Sequence, residues 1–304
     1  MRIAFVNTLL KLAKKDKRII LITGDLGFSV FEDCIKEFPK QYLNAGVAEQ
    51  NMTGMAAGMA MEGKIPLLYS IVPFVTMRNF EQIRNDICYQ NLNVKIVGVG
   101  SGFSYGIYGH THYGLEDIGI LRTIPNITIL SPGDPVETEL ATRAAFTING
   151  PVYIRLGKAG EPTVHKIKPV FTVGKGIIVK KGRDIALLST GTMVPVAVEV
   201  AELLKNKYSV CVVSMHTIKP LDEILVKELA RKMRGIFTLE EHTIIGGLGG
   251  AVAEILAENN SKNVFRRFGS PDQFNKLFGS QQYMREKNGL SATCIVKEIQ
   301  RIVK

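Results

Sequence analysis

The stretch Ile127-Thr128-Ile129-Leu130-Ser131-Pro132-Gly133-Asp134-Pro135 passes from an apolar, β-branched run through a tight turn into a helix start. Ile127–Leu130 reads as a buried strand. Asp134 is suited to cap the first helical turn, and Pro135 fits the first helical position because its missing N–H is not needed there. The spacing predicts a helix over Pro135–Ile148, followed by a second apolar run at Val152–Arg155. The unit is strand, helix, strand. Working outward, the same alternation precedes it: strands at Ile19–Thr23, Ile65–Ser70 and Val94–Val99, with helices at Ala48–Met61 and Phe80–Cys88. From Gly157 to Gly176 the rhythm stops, and Pro162, Pro169 and four glycines mark a linker. It then resumes with strands at Ile185–Ser189, Val210–Val213 and Ile236–Leu239. Helices are expected near Val194–Lys207, Asp222–Lys232, Gly249–Glu258 and Ala292–Val303. Continuous apolar strands between helices imply mainly parallel sheets covered on both faces. The expected architecture is α/β, two doubly wound domains spanning 1–165 and 166–304.

Composition agrees with this plan and excludes several classes. A length of 304 residues suits roughly two domains of ~150 residues. With 46% hydrophobic residues the chain can bury real cores, so extended disorder is excluded. No stretch approaches the ~18 apolar residues of a membrane helix. Lys11, Lys14, Lys15, Lys17 and Arg18 follow the apolar start, whereas a signal peptide places its charge first, so the cytoplasm is expected. The 38 basic against 28 acidic residues leave a net charge of 38 − 28 = +10. The basic clusters Lys11–Arg18, Lys180–Arg183 and Lys227–Arg234 are not interleaved with aromatics, which favours solvated faces over a nucleic-acid site. Cys34, Cys88, Cys211 and Cys294 show no zinc or redox spacing.

Two segments carry candidate chemistry. Asn44-Ala45-Gly46-Val47-Ala48-Glu49-Gln50-Asn51-Met52 opens a helix that is apolar or small nearly all round, so burial is expected. Gly54 and Gly58, one turn apart, allow close packing against another helix, across a subunit boundary if not within the chain. Glu49 stands at the positive helix end. It is either a first-turn carboxylate serving the dipole or a buried carboxylate that must meet a basic group. The second segment, Gly106-Ile107-Tyr108-Gly109-His110-Thr111-His112-Tyr113-Gly114, holds two of the five histidines after the strand Val94–Val99. Loops at the carboxyl ends of parallel strands are where α/β proteins place ligands. No third ligand supports a metal, so proton transfer or substrate hydrogen bonding is the preferred role for the histidines. Gly246-Gly247-Leu248-Gly249-Gly250 precedes a helix but lacks a P-loop lysine, which favours a tight turn over a phosphate cradle.

In order, these residues resemble the C-terminal half of transketolase-like thiamine diphosphate enzymes, close to deoxyxylulose-phosphate synthases and to C-terminal subunits of split transketolases. The likeness spans essentially the whole chain. It rests on Thr23-Gly24-Asp25-Leu26, Gly46-Val47-Ala48-Glu49-Gln50, Phe74 with Arg78-Asn79-Phe80-Glu81-Gln82, and Gly109-His110-Thr111-His112. Ile124-Pro125-Asn126, Ser131-Pro132-Gly133-Asp134, Ile218-Lys219-Pro220-Leu221-Asp222, Glu240-Glu241-His242 and Gly246-Gly247-Leu248-Gly249 continue it.

The resemblance implies a pyrimidine-binding domain followed by a transketolase C-terminal domain. Glu49 matches the glutamate that hydrogen-bonds the cofactor's aminopyrimidine, favouring the imino tautomer that deprotonates the thiazolium carbon. Phe74 matches the aromatic that stacks on that ring, with Val75 as the rival position. Asp25 resembles an aspartate near the cofactor, and His112 matches a substrate-facing histidine. Lys158 or Arg155 lies where the family binds substrate phosphate. Two positions depart from the pattern: Tyr108 replaces an acidic residue, and Ser101 an arginine, so the donor pocket is altered.

The family holds the diphosphate through a divalent metal on a Gly-Asp-Gly motif in a separate domain. This chain has Gly24-Asp25-Leu26 and Gly133-Asp134-Pro135 but no Gly-Asp-Gly. The expectation is therefore thiamine diphosphate with Mg2+ held by an N-terminal transketolase subunit, in an α2β2 heterotetramer acting on phosphorylated sugars. The alternatives are the β subunit of a 2-oxo acid dehydrogenase and a non-catalytic interaction subunit of the same fold.

Overall fold

The computed structural model describes residues 1–27 and 29–303. The chain folds into two mostly parallel α/β sheets. The first contains β1 (Ile19–Thr23), β2 (Tyr42–Asn44), β3 (Ile65–Ile71), β4 (Lys95–Val99), β5 (Thr128–Leu130) and β6 (Val152–Leu156). The second contains β7 (Ile177–Lys180), β8 (Ile185–Ser189), β9 (Val210–Ser214), β11 (Gly235–Thr243) and β12 (Val264–Ser270). Every position of β4, β6, β8 and β9 is buried, as helices on both faces require.

Asp134 behaves as its sequence suggests. Its Oδ1 accepts from the Glu137 N–H at 2.7 Å and starts the helix Pro135–Ala145. Its Oδ2 accepts from the Val164 and His165 amides at 2.9 Å each, pinning the segment between β6 and β7 back onto the first sheet.

One strand ignores the expected division at residue 165. β10 (Thr217–Lys219), which follows β9 in the chain, leaves the second sheet and pairs antiparallel with β5, Thr217 opposite Leu130. The first sheet therefore has seven strands in the order β10-β5-β6-β4-β3-β1-β2, while the second runs β12-β11-β8-β9-β7. One hydrophobic core joins both, with Ile22, Leu68 and Ile96 in the same cluster as Leu188, Val213 and Ile236.

Three local expectations change. The segment Phe80–Cys88 is a short α-helical turn, Phe80–Gln82, followed by a π-helical Ile83–Tyr89. The helix Arg2–Lys15 was not anticipated, although Phe5, Val6, Leu9 and Ala13 form its buried face. The helix Glu49–Met61 is buried on one face only, through Met52, Thr53, Ala56 and Ala57. Gly54 and Gly58 are exposed, and a methyl group added at either would meet nothing within 4 Å.

Candidate active site

The carboxyl ends of β1, β3, β4 and β6 are neighbours in the first sheet, and the segments that follow them converge. Gly24 and Asp25 leave β1, Val72–Arg78 leaves β3, the loop 100–114 leaves β4, and Gly157-Lys158 leaves β6. The helix Glu49–Met61 brings Glu49 into the same corner.

Glu49 is 1% exposed. Its Oε2 accepts from Arg78 Nη1 at 2.7 Å, whereas Oε1 has only a 3.5 Å contact from Ser70 Oγ. Gly24 is the wall beside it, since a Cβ there would stand 3.3 Å from Oε1. One oxygen is thus neutralised and the other left with spare acceptor capacity. The Arg78 guanidinium also covers the Phe74 ring, 4.3 Å from its centroid. Phe74 is half-buried, while its rival Val75 lies wholly in the core and cannot face a ligand.

The Phe74 ring meets His112 edge to face at 5.3 Å between centroids. His112 is flanked by Tyr108 at 5.4 Å and Tyr105 at 6.4 Å. Burial holds the His112 imidazole below its ordinary value of 6.5, favouring the neutral ring. Lys158 Nζ stands over both tyrosines, 5.0 Å from the Tyr105 centroid and 5.8 Å from that of Tyr108. Glu49, Arg78, Phe74, His112, Tyr108 and Lys158 are therefore linked by a chain of side-chain contacts. Asp25 borders it but is turned to the side: its carboxylate accepts from Asn44 Nδ2 at 3.0 Å, and its exposed backbone takes a φ of 54°.

The family model for the transketolase pyrimidine-binding domain matches residues 1–161, and that for the transketolase C-terminal domain matches residues 174–291. The chain belongs to the transketolase family. It is 39% identical over its full length to a protein of Methanocaldococcus jannaschii named for a transketolase C-terminal section, covering 96% of that protein. It is 38% identical to a 6-deoxy-6-sulfo-D-fructose transketolase subunit of Clostridium sp. strain MSTE9, over 98% of this chain and 92% of the relative. Among solved structures, a split-gene transketolase described as an inactive β4 tetramer is 37% identical. It superposes with a TM-score of 0.91 over 99% of this chain and 97% of the other. The protein is a transferase of the transketolase type.

Transketolase-type enzymes depend on thiamine diphosphate, and the corner around Glu49 fits the aminopyrimidine end of that cofactor. A buried carboxyl with one oxygen free, a small residue beside it and a half-exposed aromatic face are what a flat ring carrying N–H donors requires. Among the described residues no group of three or more His, Cys, Asp or Glu could hold a metal ion.

Arg155 is a correction. It is 2% exposed and committed within the fold: Nε donates to Asp117 Oδ2 at 2.7 Å, and Nη2 donates to Gly114 O at 2.6 Å and Glu241 O at 3.0 Å. A guanidinium enclosed by these acceptors cannot turn outward to a substrate phosphate, because Asp117 would remain buried and unpaired. Arg2 is a cation the sequence reading missed. Its helix packs against β3 through Phe5 and Tyr69, whose rings stack at 6.1 Å. Burial pushes the Tyr105 hydroxyl up and the Arg2 guanidinium draws it back, so the charge of Arg2 is felt at the ring over which Lys158 stands. The signal was available: a helix that begins with arginine and has no acidic residue in its first turn opposes its own dipole.

The glycine run at 246–250 opens a helix whose first amides are taken by a side chain of the same domain. Leu248 and Gly249 N–H both donate to the Glu240 carboxylate at 2.7 Å, so that helix start already holds an anion from β11.

Proposed function

We propose that this chain is the C-terminal subunit of a split transketolase, moving a two-carbon ketol unit from a phosphorylated ketose to an aldose. The observation that carries this reading is the chain of contacts from Glu49 through Arg78, Phe74, His112 and Tyr108 to Lys158. When bound, thiamine diphosphate supplies the nucleophilic carbon that cleaves the ketose. Glu49 binds a ring nitrogen of the aminopyrimidine and holds the proton there, and Phe74 orients the ring. His112, neutral near pH 7, hydrogen-bonds the donor hydroxyl and can receive its proton at a ring nitrogen. Lys158 and Arg2 supply positive charge for the sugar phosphate, and Asp25 borders the cofactor side. Tyr108 and Ser101 set the donor preference in place of the family's acid and arginine.

The diphosphate and its Mg2+ belong in this reading to an N-terminal partner subunit, in an α2β2 heterotetramer. Support comes from the missing Gly-Asp-Gly motif and from the relatives named as subunits or sections. The open face of Val47, Gly54, Gly58 and Met61 offers the partner an apolar, closely approachable surface. We place the pair in the cytoplasm, where four unpaired cysteines are at home. No helix of the described residues is long and apolar enough to cross a membrane.

The test is to assay ketol transfer with the chain alone and with its partner. Activity should require both. Full activity of the lone chain refutes the shared site, and 2-oxo acid decarboxylation by the pair refutes the reaction.

A further inference from the structure

The loop that carries His112 is closed at its base and gripped by the second domain. Gly102 and Gly114 exchange backbone hydrogen bonds at 2.8 and 3.0 Å, so residues 102–114 form a closed loop. Its inner aromatics, Phe103 and Tyr113, are buried in the second domain's core beside Leu187, Phe237 and Leu239. Its outer residues Tyr105, Tyr108 and His112 face the site.

Glu241 on β11 is the point of attachment. It is 1% exposed, and its Oε1 accepts from the Phe103 N–H at 2.6 Å. Gln281 Nε2 donates to the same oxygen at 2.9 Å and to Ser104 Oγ at 3.2 Å, tying the next loop residue to the same carboxylate. Thr192 Oγ1 at 3.0 Å and Arg285 Nε at 2.7 Å fix Oε2. Gly102 makes the approach possible: at φ +60° it has the backbone glycine favours, and a Cβ would stand 2.5 Å from Glu241 Cγ. Farther along, Tyr113 Oη lies 2.9 Å from both Gly106 O and Leu277 O and shares its one proton between them, and Gly279 N–H donates to Gly106 O at 3.1 Å.

We propose that Glu241 is a positioning residue through which the second domain sets the placement of His112. This rests on the reading of His112 as substrate-facing. A buried carboxylate fixed by an arginine, a glutamine and a threonine is a rigid anchor. The Phe103 amide hung on it carries the loop with it.

Hydrogen exchange on the full chain reads the loop directly. Glu241→Ala is expected to speed exchange of amides 102–113 about tenfold and leave β3 and β4 unchanged. Glu241→Gln keeps an acceptor for Phe103 and should restore most of the protection. In the complex with partner and thiamine diphosphate, Glu241→Ala should lower kcat/KM for a phosphorylated ketose about tenfold while cofactor affinity stays within about twofold. If that variant does not fold, Gln281→Leu, at a half-exposed position, carries the same test at about threefold. Unchanged loop exchange in a folded variant overturns the proposal, as does a parallel loss of cofactor affinity. The exchange measurement needs no turnover, so an inactive wild-type complex refutes the reaction without deciding the role of Glu241.

Discussion

Arg78 binds the Glu49 carboxylate at 2.7 Å while its guanidinium lies 4.3 Å from the centroid of Phe74. The acid and the aromatic to which we assign the cofactor ring are thus held in one relationship by a single cation. Glu49→Gln removes the charge that binds the ring nitrogen and is expected to lower ketol transfer more than about 100-fold in the reconstituted complex. Arg78 is 43% exposed and can return to solvent, so stability should change by under about 1 kcal/mol. Turnover and urea denaturation of the same variant check both halves, and an active variant contradicts the role given to Glu49.

Arg155 and Lys158 separate in a paired experiment. Arg155→Met leaves Asp117 buried without its cation and should cost about 3–5 kcal/mol in urea unfolding. Lys158→Met should stay within about 0.5 kcal/mol of wild type, as surface changes do, while raising KM for the phosphorylated donor. A stable Arg155→Met variant with an elevated KM would reverse the two assignments.

The pH profile tests His112. Desolvation lowers its pKa, so the ring stays neutral into more acidic solution than a free histidine would. The acid limb of kcat/KM is therefore expected below pH 6.5 and should vanish in His112→Ala. A limb that lies above 6.5, or that survives the substitution, belongs to another group.

Gly247 offers a purely steric prediction. Its backbone, at φ −79°, accepts any residue, yet a Cβ would lie 1.9 Å from Glu240 Oε2 and 2.7 Å from His242 Nδ1. Gly247→Ala must displace the carboxylate that caps the helix Leu248–Glu258, at a cost of about 1–3 kcal/mol measurable by urea unfolding.

The strand–helix alternation was legible because β1, β3, β4 and β6 are mainly apolar runs of five to seven residues, long enough to show a pattern. β2 and β10 were not, since three residues carry no periodicity and their pairing is decided by distant chain. β12 was hidden differently: Arg266 and Arg267 interrupt its apolar run. Glu49 was recognisable as a charge at a helix start, but its partner lies 29 residues on, beyond any local pattern. The burial of Arg155 was implicit in the expected strand Val152–Arg155, and the phosphate assignment set that aside. Lys158, three residues later, lies beyond the strand end and reaches the site. The hold of Glu241 on Phe103 spans 138 residues and only the fold reveals it.

The pairing of β10 with β5 has a consequence for how the chain comes into being. A polypeptide cut at residue 165 would present Ile129 and Leu130 on a bare sheet edge, a template for joining other molecules. The first half is sealed only after some fifty further residues have been synthesised, so the two halves should melt in one transition and resist separate expression.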